Sequence, residues 1–581
     1  MGNRRHRASV AIGAALSLAV GAGAGGGKQG PAGSSGSDED VSFQEDDSLE
    51  VTPGGTVTYG LGAETDGWNP TANRWATSGH QVSMALYDHL AEISAEGVPE
   101  PYLAESIEAD ESYTTWTITV REGVTFHDGS ELTASDLELN FLAHKASPLS
   151  GKALAPIESM EVDPDDELAL KVTMSSPWAS FPYFLTSQVG VVVEPGALGM
   201  DPETKTATSP ATANTKPVGT GPFVFDEWEI DRQLVVTKNP DYWREGLPYL
   251  DEVVFQPVID PNNRVNSLTA GDLGVLQMAV SASGIEALRD AACTEAPCPD
   301  GTVKYYDNQK NAEGEEGMLM VQALRPPFDD PIARRAVASG INREDLLETV
   351  FGGIYEPAMG FYAPDSKWYE DVSDKVPPFD PAEAEKLAQQ YEAEHGEPIK
   401  FEFSIPVSMP EVEDSAQVVK EQLGAVGIEV DVKSYEMTKY IEKLIGGDFQ
   451  GIAFQWFSAP DPDAEYVWLH SSSVPTDADG NPLPTGGISL NFARLVNPEV
   501  DAALEAGRAT DDEAVRKEAY AAMQQALADD LVFMTLYHGY SVVAWRPDIR
   551  NVVNWTFPDG TEGQPLNSSG AHPIAEMWVE Q

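Results

Sequence analysis

The stretch from Ile399 to Val432 alternates strand, helix and strand, and it constrains the fold more than any other part of the chain. Ile399 to Ile405 reads as a strand and Glu413 to Val426 as a helix stopped by Gly427. Ile428 to Val432 then reads as a second strand. Two strands joined through a helix run parallel, with a right-handed crossover, in a sheet that helices cover. The pattern continues with a helix over Thr438 to Ile445 and a buried strand over Gly451 to Trp456. Upstream, Asp380 caps a helix over Pro381 to His395, with proline at the first helical position. Helices are also expected over Pro331 to Ser339, Arg343 to Val350, Asn497 to Gly507 and Asp512 to Asp529, before strands return over Leu531 to Ala544. The front half is richer in strands. Order begins near Gly54 to Tyr59, Tyr113 to Val120 alternates with β-branched and aromatic residues, and Thr133 to Asp136 opens a helix. Leu168 to Val172, Val189 to Val193, Gly219 to Trp228 and Leu234 to Thr237 complete this half as strands or turn-and-strand units. A chain of 581 residues therefore implies an α/β protein of several lobes, not one core.

Charge removes whole classes of function. The chain carries 36 Lys+Arg against 94 Asp+Glu, a net charge of −58. Nucleic-acid binders and polybasic membrane-surface proteins need clustered cations, so both are excluded. A hydrophobic content of 41% excludes a wholly disordered acidic chain. The N-terminus has the layout of an export signal over residues 1–24. Arg4, Arg5, His6 and Arg7 are followed by an apolar stretch from Ala8, with a small-x-small cleavage pattern at Ala22-Gly23-Ala24. A Gly, Ser and acid-rich tether follows over 25–51. The expected location is outside the cytoplasm, at the cell surface or in a periplasm. Cys293 and Cys298 are the two cysteines, and an oxidising compartment would close them into a short disulfide loop.

Catalytic and cofactor signatures are missing. The nine histidines are scattered, and no His-Glu-x-x-His, Gly-x-Ser-x-Gly or Walker loop occurs. A Gly-x-Gly-x-x-Gly match at Gly21 to Gly26 falls inside the export signal, with no strand before it. Asp477 to Asn481 lacks the later Glu of a calcium loop. No enzyme, cofactor or metal is expected.

Four ordered segments resemble one family. The first runs from Thr115 to Phe141 and contains Gly123-Val124-Thr125-Phe126-His127-Asp128-Gly129, then Thr133-Ala134-Ser135-Asp136. The second is Val218-Gly219-Thr220-Gly221-Pro222-Phe223 to Trp228, followed by Lys238 to Phe255 with Asn239-Pro240-Asp241-Tyr242-Trp243. The third is Phe328 to Gly353, and the fourth Leu423 to Val430. Together they resemble the extracytoplasmic solute-binding proteins of peptide, dipeptide and nickel ABC importers, bacterial family 5. Read from the residues alone, Phe126, His127, Gly221, Tyr242 and Trp243 are scaffold in turns and packing.

The resemblance implies a two-lobed, periplasmic-binding-protein-like clamp in its large form. Lobe I would span 52–258 with an inserted subdomain near 80–204, lobe II 259–537, and residues 538–581 would return to lobe I. Hinge crossings would lie near Pro257–Pro261 and Leu536–Gly539. The ligand would be an oligopeptide- or dipeptide-like solute held between lobes and passed to the permease subunits of an importer, by a monomer. An oligosaccharide or another small solute, or a sensory role, stands as the alternative. The expected ligand contacts are Glu64, Trp68, Tyr435, Trp456, Phe457, Ser458, Asp461, Tyr537 and His538. Two departures from the family pattern stand out. Three residues after Trp456, where peptide binders carry the aspartate that pairs with an α-amine, the chain has Ala459, with Asp461 and Asp463 just beyond. The lipid-anchor cysteine of Gram-positive relatives is also absent, since Ala24-Gly25-Gly26-Gly27 stands in the comparable place.

Overall fold

The computed structural model describes residues 49–580, apart from 74, 280, 294–297, 300, 309–314, 408, 458 and 568. The expected export signal and nearly all of the tether lie outside the described residues.

Three sheets organise the described residues. A seven-stranded mixed sheet has the order Phe223–Glu229, Gln233–Lys238, Glu252–Pro257, Thr56–Leu61, Val275–Ala279, Ser541–Trp545 and Lys304–Asp307. Its centre is parallel: Thr56–Leu61 pairs in parallel with both Glu252–Pro257 and Val275–Ala279. A six-stranded sheet has the order Glu356–Pro357, Phe533–Gly539, Glu315–Val321, Gly451–Phe457, Lys400–Pro406 and Glu429–Tyr435. Here Lys400–Pro406 runs parallel to Glu429–Tyr435 and to Gly451–Phe457, as the strand–helix–strand pattern requires. The crossover helix Pro410–Ala425 buries Ala416, Val419 and Leu423, and Gly427 ends the unit at φ 84°. A four-stranded antiparallel sheet, Ala104–Ala109, Thr115–Val120, Asp166–Met174 and Ile157–Asp163, has its own apolar core, including Trp116, Ile118 and Trp178.

Local signals place the helices. Thr133 and Asp136 form a reciprocal capping box at the start of Ala134–Ala146. The Asp380 side chain accepts from the Ala382 and Glu383 amides to start Pro381–His395, a cap worth about 1 kcal/mol. The expected strand at Val189–Val193 is instead a short 3₁₀ turn, Gln188–Gly190, followed by single bridges from Val191 to His89 and from Val193 to Gly219. A side chain takes the place of a ladder there: Asn140 Oδ1 accepts from the Val193 amide (3.0 Å) and its Nδ2 donates to the Val193 carbonyl (2.8 Å).

The two family-like segments of the front half meet in space. The His127 amide donates to the Gly219 carbonyl (2.8 Å), Nδ1 accepts from the Gly219 amide (3.3 Å), and Nε2 donates to the Gly221 carbonyl (3.0 Å). Burial pushes the imidazole pKa down, which suits this neutral tautomer. At Gly221 a Cβ would lie 2.5 Å from the Tyr87 nitrogen, so only glycine lets the Leu86–Tyr87 backbone approach.

The passage between the two large sheets differs from expectation. Pro261 does not mark a crossing. It opens the helix Pro261–Ala270, capped by Asp260, and the next strand, Val275–Ala279, still belongs to the seven-stranded sheet. The chain leaves that sheet after Asp307, enters the six-stranded sheet at Glu315, and returns between Gly539 and Ser541. Asn308 ties these passages together: its amide donates to the Ser541 carbonyl (3.2 Å) and its Oδ1 accepts from the Ser541 amide (2.8 Å).

Candidate functional site

In open α/β sheets, ligands settle outside the carboxyl ends of parallel strands. This chain has two such rows. In the seven-stranded sheet the row consists of the segments after Leu61, Pro257 and Ala279. In the six-stranded sheet it consists of those after Pro406, Tyr435 and Phe457.

On the first row Glu64 and Trp68 come together. They line one recess with Thr65, Ser78, Trp228 and Phe255. Glu64 Oε1 accepts from Trp228 Nε1 (2.6 Å) and Oε2 from the Asp231 amide (2.9 Å), so its carboxylate is held by two donors. The Trp68 and Trp228 rings meet edge-on at 5.5 Å. Trp68 is 2% exposed, and its Nε1–H is buried without a hydrogen-bond partner. A buried donor in that state is a place for an acceptor to enter. Ile230 and Ile259, 68% and 72% exposed, stand on neighbouring loops.

On the second row Tyr435 donates its hydroxyl to Glu402 Oε1 (2.8 Å), and the Lys443 ammonium lies 4.8 Å over its ring. Glu402 also accepts from Ser404 Oγ (2.9 Å) and pairs with Lys443 (3.2 Å). Burial and the Glu402 carboxylate push the Tyr435 phenol up to about 12, so it remains a neutral donor. Met409, in the segment after Pro406, and Met437 and Ile441, in the helix after Tyr435, are exposed.

Other expected contacts sit elsewhere. Trp456 is buried in an aromatic cluster with Phe361, Trp468 and Phe533 at 5.4, 5.8 and 5.5 Å. Phe457 ends its strand, but its side chain and all of Ser458 lie outside the described residues. Tyr537 is buried and stacked on Tyr355 at 5.1 Å; Gly317 is glycine because a Cβ there would meet the Tyr537 ring at 2.1 Å. His538 Nδ1 lies 3.4 Å from Glu316 on the paired strand, next to the return passage, and burial lowers its pKa to about 4. Asp461 differs most from expectation. Both of its oxygens accept from Arg516 Nη2 (2.6 and 2.7 Å), and it is 1% exposed. Burial opposes the guanidinium charge, but Asp461 and Tyr520 together raise the Arg516 pKa, while burial also raises that of Asp461. With both oxygens taken by Arg516, this carboxylate is engaged within the protein. Arg508 and Arg516, which fix this loop, were not singled out from the sequence, since they lie 45 and 55 residues from their partners.

Cys293 and Cys298 are joined by a disulfide, with Cα atoms 5.6 Å apart. Among the described residues one trio could offer a metal three ligand atoms: Asp330, Glu394 and His395, at the surface. Asp330 already uses one oxygen to cap Pro331–Gly340 and the other to accept from His395 Nε2 (2.8 Å). No helix among the described residues is long and apolar enough to cross a membrane.

This architecture has known relatives. The model for the bacterial extracellular solute-binding proteins, family 5, middle region, matches residues 98–478. The chain belongs to that family. Di/tripeptide-binding protein 2 of Pseudomonas aeruginosa is 26% identical over 538 residues, covering 88% of this chain and 94% of its own. Two solved structures share the fold. One is the binding protein AgaA of A. tumefaciens R10 in complex with agropinic acid: TM-score 0.75, 23% identity, 91% of this chain and 99% of that one. The other is the oligopeptide-binding protein AppA of Bacillus subtilis in complex with a nonapeptide: TM-score 0.74, 21% identity, 92% of this chain and 100% of that one. The family 5 fold is the periplasmic-binding-protein-like clamp.

Proposed function

We propose that this family 5 protein is an extracytoplasmic receptor that closes two lobes on a peptide-like solute and presents it to the permease of an ABC importer. The observation that carries this reading is the topology. Two large sheets, each with parallel strands ending in a loop row, follow one another in the chain, and the described ends of the connections, Asn308 and Ser541, lie side by side. Two chain connections that start side by side suit a hinge, and closure around a ligand would exclude water from its contacts. On this reading the lobes divide by sheet, and the four-stranded subdomain travels with the seven-stranded sheet. Glu64 and Trp68 contact the ligand from one lobe and Tyr435 from the other, with apolar Ile259, Met409 and Met437 beside them. Tyr537 and His538 act at the hinge rather than on the ligand. No covalent chemistry is invoked, and the receptor works as a monomer after export. The curated relative's name supports a short peptide as ligand.

A second reading is a non-peptide solute. The engaged state of Asp461, together with Ala459 at the amine-pairing position, supports it, as does the agropinic acid bound by one neighbour in fold.

The test is titration of the purified protein, read by tryptophan fluorescence, with the dipeptide Met-Leu, its N-acetylated form, an opine and an oligosaccharide. The expected outcome is a saturable change with Met-Leu that weakens at least tenfold in Trp68→Phe. Saturation by the opine or the oligosaccharide, with both peptides silent, overturns the peptide assignment in favour of the second reading.

A further inference from the structure

The four-stranded subdomain is held on two sides by unlike means. Toward the seven-stranded sheet the joint is fixed. Leu86–Tyr87 backbone lies against Gly221, His127 bonds both Gly219 and Gly221, and buried Asp88 accepts from Thr220, Tyr242 and Trp243. Toward the six-stranded sheet, no strand ladder crosses among the described residues. The buried polar centre of this contact is one carboxylate, with apolar packing of Ala153 and Phe184 beside it. Trp178 Nε1 and Ser180 Oγ, both from the subdomain, donate to Asp463 Oδ2 (2.6 and 2.7 Å). Arg508 Nε holds the other oxygen (2.6 Å), and its guanidinium lies 4.6 Å over the Trp178 ring. The Ala179 amide donates to the Arg508 carbonyl (2.8 Å). Further polar links lie at the rim: Lys152 on the Ser473 carbonyl (3.0 Å), Lys367 on the Gly97 carbonyl (3.3 Å) and the Tyr183 hydroxyl (3.4 Å), and Tyr113 with Asp511.

This arrangement can separate without leaving a charge unpaired. Arg508 belongs to the same side as Asp463, so parting removes only two neutral donors, which water replaces. Asp461, clamped by Arg516, accepts from the Asp463 amide (3.0 Å) and keeps the acceptor loop in shape whether or not the subdomain is docked. A rigid acceptor facing two donors, with no shared ladder, is how a contact is made and broken without unfolding.

We propose that Trp178, Ser180 and Asp463 form a closure latch, engaged when the lobes are shut and released when they part. The latch deepens the receptor reading above and rests on it, because it sets how much of the protein is already closed before a solute arrives. A latch that favours the closed form tightens retention, while one that is too strong would bar entry.

The test uses the full chain without added solute. Spin labels at Glu131→Cys in the subdomain and Glu392→Cys in the other lobe, both exposed positions, report the distance between the two sides. The expected result is a short-distance population that falls roughly tenfold relative to the long one in Trp178→Phe/Ser180→Ala, with a smaller fall in Ser180→Ala alone. Phenylalanine removes the N–H donor and keeps an aromatic ring at this position, at some loss of packing, so Ser180→Ala, which leaves Trp178 in place, is the cleaner arm. An unchanged distribution in the double variant overturns the latch and makes the contact permanent scaffold. If the double variant does not fold, Ser180→Ala alone decides, by the same criterion. Adding Met-Leu tests the receptor reading separately. Closure of the double variant by Met-Leu supports that reading, and no response in any variant counts against it. The solute-free comparison still decides the latch.

Discussion

Asp88 and Asp463 are both buried carboxylates, 3% and 4% exposed, and both hold the same subdomain, yet they are satisfied in opposite ways. Asp88 accepts only from neutral donors: Thr220 Oγ1 (2.8 Å), Tyr242 OH (2.9 Å) and Trp243 Nε1 (3.0 Å). Burial outweighs these bonds and pushes its carboxyl up to about 6. Asp463 sits in a loop neutralised by guanidinium groups, Arg508 on itself and Arg516 on Asp461. The difference separates a joint from a contact. A carboxylate that depends wholly on its neighbours' N–H and O–H groups cannot lose them without being stranded. One that brings its own cation can.

The cation side breaks most easily by removing the cation. Arg516→Met leaves Asp461 buried and uncompensated, and is expected to lower stability by about 3–5 kcal/mol in urea unfolding. A loss below about 1 kcal/mol would mean that Asp461 is hydrated or protonated without penalty, and the contrast with Asp88 would fail. The neutral side is sharpened by pH. A carboxyl whose folded pKa lies near 6, against about 3.8 unfolded, binds more protons when folded between those values, so stability falls as pH rises through that window. The contribution is full below about pH 4 and lost above about pH 6, and amounts to about 3 kcal/mol. Asp88→Asn should remove this slope. The check is the wild-type minus variant difference in unfolding free energy between pH 4 and pH 7, which cancels most of the other carboxylates. A flat difference would show that Asp88 is ionised without strain.

Neither joint was legible before the structure, although much around them was. Capping is local, so Thr133 and Asp380 announce their helices within three residues of sequence. The parallel crossover after Lys400–Pro406 is likewise written in the order of strand, helix and Gly427. The resemblance puts a hinge crossing near Pro257–Pro261, but proline there opens a helix, and the next strand rejoins the same sheet. Glu64 and Trp68 are readable as neighbours because they follow a strand end directly, and they line one recess. The Asp463 site is not readable in this way, because Trp178 lies 285 residues from it and Arg508 45. The aspartates of the 454–463 loop look alike in sequence whether they face a solute or an arginine. The packing of Pro498–Arg508 and Glu513–Asp530 behind the loop decides between these.

The finest comparison deletes one hydroxyl from each side. Thr220→Val and Ser180→Ala both remove an O–H donor from a buried carboxylate, at 2.8 and 2.7 Å, with little change of shape. Geometry alone ranks them equal. Their surroundings do not. After Thr220→Val, Asp88 keeps two neutral donors and no cation, so the lost bond is expected to cost about 1.5–3 kcal/mol, with the Asp88 pKa rising further. After Ser180→Ala, Arg508 still neutralises Asp463 and Trp178 still donates, so the loss is expected near 0.5–1.5 kcal/mol. The pH dependence separates the two more sharply than the sizes do. Raising pH from 4 to 7 should widen the Thr220→Val deficit, because it ionises a carboxyl with fewer donors. Equal deficits that move together with pH would mean that the Arg508 guanidinium contributes nothing at Asp463, and that the subdomain is fixed on both sides alike.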